Sequence, residues 1–183
     1  MMTIIIIAAV ILLIALWGVG VQRKLVKQEE LCSNAMSQIG VQQSSRWDAL
    51  TALAELVKSY NEHEYNTLKE VIAQRANITA TSKAAEVNAQ EDRIASALSR
   101  IFAVAEQYPD LKADGNYAKA MESVNQYENQ VRLSRMTYND TVTKFNAMIR
   151  QFPDSLVAGI LGFSTKEYLQ EVTAKAEMPS MKI

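Results

Sequence analysis

Residues 117–152 read YAKAMESVNQYENQVRLSRMTYNDTVTKFNAMIRQF, and this stretch decides the fold. Tyr117, Met121, Val124, Val131, Tyr138, Val142, Phe145, Ile149 and Phe152 follow one another at alternating steps of four and three, with Glu128 and Arg135 filling the two steps that lack an apolar group. An α-helix turns once in about 3.6 residues, so the alternation lines one face of a single long helix. A heptad seam kept up over about five repeats calls for partner helices at the shallow crossing angle of a left-handed bundle. Pro153 stops the helix.

The partners lie upstream. Val87, Ile94, Leu98, Ile101, Ala105 and Tyr108 share one face of a helix expected over residues 84–108. Pro109-Asp110 and Asp114-Gly115-Asn116 read as the loop between that helix and the last. An earlier stripe runs through Leu50, Leu53, Val57, Tyr60, Leu68 and Val71 and ends in the polar residues 77–82. Before it, Leu25, Leu31, Cys32, Ala35, Met36 and Ile39 recur at helical spacing, and Gly40 with Gln42, Gln43, Ser44 and Ser45 is the first expected break. Three prolines and six glycines in 183 residues favour helix throughout, and no unit of solenoid length repeats.

The start of the chain is of another kind. Residues 4–21, opening at Ile4 and closing at Val21, form an uncharged run of 18 residues, and all 19 Lys and Arg and all 20 Asp and Glu residues come later. As a helix the run is roughly 27 Å long, close to the hydrocarbon thickness of a bilayer. A cleaved signal peptide needs basic residues before the apolar run and small residues at a cleavage site; Met1-Met2-Thr3 and Ala15-Leu16-Trp17 supply neither. The run is therefore read as a transmembrane anchor. Arg23, Lys24 and Lys27 crowd its downstream flank, which places the N-terminus outside and the rest of the chain in the cytoplasm.

The expectation is an all-α protein: an N-terminal transmembrane helix continuing into an elongated, antiparallel, up-and-down four-helix bundle. Residues 1–22 form the anchor, 23–153 the bundle, and 154–183 a short apolar helix and tail. One length conflicts with this scheme. A first helix broken at Gly40 has about 20 residues outside the membrane, roughly 30 Å, against roughly 54 Å for the last helix. The alternative is three long helices, the first running on past Gly40.

The residues that interrupt the seams are the candidates for chemistry. Arg46, Glu64, Glu128 and Arg135 stand where apolar groups are expected, and buried charges are costly unless paired. In the four-helix scheme the second and fourth helices run parallel, and Arg46 level with Asn116 brings Glu64 beside Arg135. An internal Glu64–Arg135 contact that fixes register is expected; the alternative is that both side chains reach out to water.

No cofactor or metal is expected. Di-metal sites in bundles use Glu-x-x-His pairs, and Tyr60 stands three residues before His63, the sole histidine. Cys32, the sole cysteine, falls on an apolar helical face and reads as inert packing. Glu62-His63-Glu64 reads as a solvated cluster. A net charge of −1 without a basic stripe gives no reason to expect nucleic acid. After Pro153, Leu156, Val157, Ile160, Leu161 and Phe163 make an apolar segment that either docks on lipid or a partner, or caps the open end of the bundle.

Arg46-Trp47-Asp48-Ala49-Leu50, Leu53, Tyr60, His63-Glu64, Leu68 and Arg75 resemble the first signature of the LemA proteins. Glu128, Val131, Arg135, Tyr138-Asn139, Phe145-Asn146, Phe152-Pro153 and Gly162-Phe163 resemble their second. The resemblance implies a bacterial inner-membrane protein, N-terminus outside and bundle inside, with a long helical bundle and no known enzyme activity or cofactor. Met36 stands where the family usually has tryptophan, and Thr51 where it usually has proline, which weakens the case for a break before the second helix. Two roles follow as expectations. The first is a scaffold that self-associates or recruits protein partners, organising or remodelling the membrane. The second is an adaptor or sensor regulating a membrane enzyme or signalling protein.

Overall fold

The computed structural model describes residues 1–170. The last 13 residues of the expected C-terminal segment, 171–183, lie outside the described residues. Among the described residues every regular element is a helix: α1 (Met2–Lys58), α2 (Glu62–Ala73), α3 (Ala84–Gln107), α4 (Pro109–Ala113), α5 (Gly115–Arg150) and α6 (Asp154–Leu161).

Helix α1 runs unbroken for 57 residues, so the break expected at Gly40 is absent. A helix-interior glycine costs roughly 0.5–1 kcal/mol, too little to end a helix that is packed on either side. Ile39 and Gln43 are both buried, and two residues of the polar run after Gly40 are tied into the bundle: Gln43 bonds Glu91, and Ser44 accepts from Arg75. The chain turns instead at Ser59-Tyr60-Asn61, where Asn61 Oδ1 accepts from the Glu64 amide at 3.0 Å and caps α2. The stripe read as one helix through Val71 is therefore shared by two, α1 and α2.

Helix α2 descends antiparallel to α1, its end held by Arg75 to Asp48 at 2.7 Å. Residues 74–83 continue down to the level of Gly40, and α3 then climbs parallel to α1. The loop expected at residues 109–116 contains a one-turn helix, α4, which Pro109 opens. Asp114 caps α5 through the Asn116 amide at 2.6 Å. Helix α5 returns antiparallel along α1, with Gln28 bonded to the Thr141 carbonyl and Arg46 beside Glu128. Phe152, the last residue of the expected seam, lies beyond the end of α5 and is 80% exposed.

Among the described residues, three apolar clusters succeed one another along the rod. Farthest from the N-terminal run, α1, α2, α3, α4 and α5 enclose Trp47, Leu50, Leu53, Leu68, Ile94 and Ile101. In the middle, Cys32, Met36, Ile39, Val87, Tyr138, Val142 and Phe145 are joined by Leu169. At the near end, Val21 and Leu25 pack on Ala158 of α6, with Met148 and Ile149 of α5. Before Gly18, every residue of the apolar run is exposed among the described residues. That apolar window is long enough to cross a membrane, and only 6% of it is buried. A core helix of the same composition would be mostly buried.

Candidate functional site

Two polar constructions cross the rod. The first joins α1, α3 and α5. Arg46 of α1 is 95% buried and bonds Glu91 of α3 at 2.9 Å, with Glu128 of α5 at 3.6 Å. Gln43 Nε2 donates to the other Glu91 oxygen at 2.7 Å. One turn on, the Trp47 indole N–H and the Ala76 amide both donate to Gln90 Oε1 at 3.2 Å, so this amide also holds the segment after α2. A charge this deep is tolerable only with its partners in place, and the layer ties three helices together at one level.

The second construction holds the chain after α6. Gly162, at φ +76°, closes α6 in the left-handed conformation that glycine adopts without strain, and the chain turns back along α5. Phe163 meets the Phe145 ring edge-on at 6.3 Å. Asn146 Nδ2 donates to the Lys166 carbonyl, and the Lys166 amide donates to Asn146 Oδ1, both at 2.9 Å. Asn139 does the same for Leu169, at 3.0 and 2.9 Å. Tyr138 Oη donates to the Glu167 carbonyl at 3.2 Å, and Arg135 to the Gln170 carbonyl. The Lys166 ammonium reaches Glu29 of α1 at 3.1 Å.

The spacing explains the fit. Asn139 and Asn146 are two helical turns apart, about 10.5 Å, and three extended residues span about 10 Å, so both side-chain amides meet backbone at 166 and 169. Near the N-terminal run, where α2 and most of α3 are absent, this strap and α6 supply the third wall that α1 and α5 need.

The expected Glu64–Arg135 contact does not form. Because α1 does not turn at Gly40, Glu64 lies past the far turn on α2, 3.9 Å from Arg100, while Arg135 lies toward the N-terminal end of the rod. Arg135 is buried and bonds Asn88 at 3.1 Å as well as the strap. Burial pulls its guanidinium below its ordinary value, and Glu91 opposes the shift. Glu62 and His63 are exposed. Cys32 is buried; desolvation raises its thiol, against a lowering hydrogen bond from Thr141. Among the described residues no three His, Cys, Asp or Glu side chains converge as a metal site would require.

Of the apolar segment, Leu156 is 57% exposed, Ile160 85% and Leu161 49%, while Val157 and Phe163 are half-buried against the near cluster. Asn88, Gln90 and Glu91 are absent from the sequence reading, and Gln43 figures there only as part of the expected break. A signal existed for two of them: Gln43 continues the four-three steps from Ile39 to Arg46, and Gln90 fills the gap between Val87 and Ile94.

The LemA family model matches residues 35–183. Protein LemA of Metamycoplasma hominis is 28% identical over 144 residues, covering 76% of this chain and 64% of that protein. Magnetosome protein MamQ 1 of Paramagnetospirillum magneticum is 35% identical over 79 residues, covering 43% of this chain. Magnetosome protein MamQ of Magnetospirillum gryphiswaldense is 32% identical over the same length. The match spans 29% of the length of either magnetosome relative, and under two thirds of Protein LemA.

Proposed function

This chain belongs to the LemA family, and from that premise we propose that it is a membrane-anchored helical scaffold that associates with copies of itself at the cytoplasmic face of a bacterial inner membrane. The observation that carries the proposal is the continuity of α1: one helix passes from a bare apolar run into the buried seam of the bundle without a hinge. A tether of that kind holds the bundle at a set height and angle, which suits a part in an assembly. The cationic flank of Arg23, Lys24 and Lys27 supports the inward orientation.

The buried charges support a structural, non-catalytic role, since Arg46, Glu91 and Gln43 are engaged with one another. Leu133 and Met136, one turn apart, are 51% and 57% exposed on the outer face of α5 and offer a contact between copies. Confinement to two dimensions raises local concentration, so weak contacts suffice. The likeness to proteins named for the magnetosome, over part of the chain, supports a module reused in different settings.

The test is the mass of the full chain in nanodiscs or mild detergent, by light scattering. A homo-oligomer that dissociates in the Leu133→Lys/Met136→Lys variant is expected. A monomer rejects self-association, and a monomer that copurifies with one different protein turns the reading to an adaptor.

A further inference from the structure

We infer that α6 lies on the membrane surface as a second, in-plane contact with the bilayer, beside the transmembrane run. The inference starts from the height of α6 along α1. Ala158 is 99% buried against Val21 and Leu25, so α6 crosses α1 at the last turn of the apolar run and the first turn of the charged stretch. Gly18, Val19 and Gln22 of α1 border Val157, Ile160 and Leu161 of α6 in a shallow, mostly apolar cleft. A bilayer that covers the bare run of α1 therefore has its boundary at α6.

The exposed face of α6 suits that place. Leu156, Ile160 and Leu161 are open to the outside, and Phe152 just before the helix is 80% exposed. Water is a poor solvent for side chains of this kind, so four left exposed at this height favour an apolar covering. The patch is continuous with the apolar surface of α1, which argues for lipid as the occupant. The cations at the same level agree: Arg23, Lys24 and Lys27 are exposed on α1, and Arg150 ends α5 directly after Met148 and Ile149 of the near cluster. Asp154, in the first turn of α6, opposes them. A cationic collar above an apolar face is the arrangement that anionic headgroups attract.

The inference rests on residues 4–21 as a membrane span, and the experiment separates the two. The full chain is placed in vesicles of phosphatidylcholine and phosphatidylglycerol, with or without bromines on the acyl chains. Trp17 of the native chain reports on the span. Ile160→Trp, made together with Trp17→Phe, reports on α6, and Phe102→Trp in the same background, 48% exposed on α3 far from the apolar run, serves as an aqueous reference. Trp47, buried in the far cluster, is common to all. An apolar face sunk roughly 5–10 Å below the headgroup boundary predicts a blue-shifted Ile160→Trp signal that is quenched by bromine, with Phe102→Trp unchanged. Quenching of Trp17 without quenching of Ile160→Trp overturns the inference and leaves the span intact. A blue-shifted but unquenched Ile160→Trp overturns it in favour of a protein covering, such as a second copy. Absence of quenching at both sites removes the span and the inference together.

Discussion

Gly40 sits where the backbone after α2 crosses α1. A Cβ built there would lie 2.1 Å from the Ile78 carbonyl oxygen and 2.9 Å from its carbon, and these are backbone atoms that cannot swing aside. Alanine would raise the helix propensity of α1 by roughly 0.5–1 kcal/mol, yet overpacking costs typically 1–3 kcal/mol. Gly40→Ala is therefore expected to lower stability by about 1–2 kcal/mol in denaturant unfolding, against the usual direction of that substitution in a helix. Arg46 poses the opposite problem, since its loss would leave a charge behind. The side chains of Arg46 and Glu91 are 6% and 14% exposed, so Arg46→Met strands a largely buried carboxylate, and a loss of about 3–5 kcal/mol is expected. Arg46→Met/Glu91→Met removes both charges and is expected to recover part of that, the residual cost falling on Gln43, which loses its acceptor, and on buried Arg135, which loses a nearby carboxylate. Recovery that fails in thermal or denaturant unfolding would mean that the layer stabilises through something other than the ion pair.

Among the elements, the strap makes the most specific demand on side-chain chemistry. Each asparagine uses its NH2 as donor and its oxygen as acceptor toward one backbone residue. Asn146→Asp keeps the size and the acceptor for the Lys166 amide but sets a carboxylate against the Lys166 carbonyl. Losing a hydrogen bond and leaving an acceptor unsatisfied costs roughly 1–3 kcal/mol. The expected outcome is faster amide exchange at Lys166 and Leu169 with unchanged exchange in α2 and α3; uniform acceleration would show that the strap is not a separate unit. How far these elements were legible depends on the range of the signal. The four-three alternation of α5 needs only neighbours on one helix, so its extent and its buried face were readable, short of Phe152. Asn139 and Asn146 stand out only as part of a family resemblance, because their partners are 30 and 20 residues away, respectively, and reached through a turn at Gly162. The Arg46–Glu91 pair was out of reach for a related reason: it depends on where α1 turns. A turn expected at Gly40 puts Glu64 beside Arg135, a register the structure does not have because the chain turns at residues 59–61.

At the scale of the whole molecule, the single-helix path of α1 settles the lengths. Residues 22–58 of α1 rise about 55 Å, and the 36 residues of α5 return about 54 Å, so the two match from end to end where a helix broken at Gly40 fell short by nearly half. That geometry predicts a distance. Gln22 and Lys58 are both exposed, so spin labels at Gln22→Cys and Lys58→Cys are accessible without entering a buried cluster. With 36 residues of continuous helix between them, their separation is about 54 Å. A chain that reversed at Gly40 would bring the two ends within about 10 Å of each other, the spacing of packed helices. Pulsed electron-spin measurements on the full chain in nanodiscs resolve these outcomes without overlap. Cys32 can stay in place: it is buried, and desolvation raises its thiol above the ordinary value, so little thiolate forms near neutral pH and the native residue is expected to stay unlabelled until the protein is unfolded. A third label at Cys32 in the folded protein would overturn the middle cluster, and a short Gln22–Lys58 distance would overturn the rigid tether on which the scaffold reading depends.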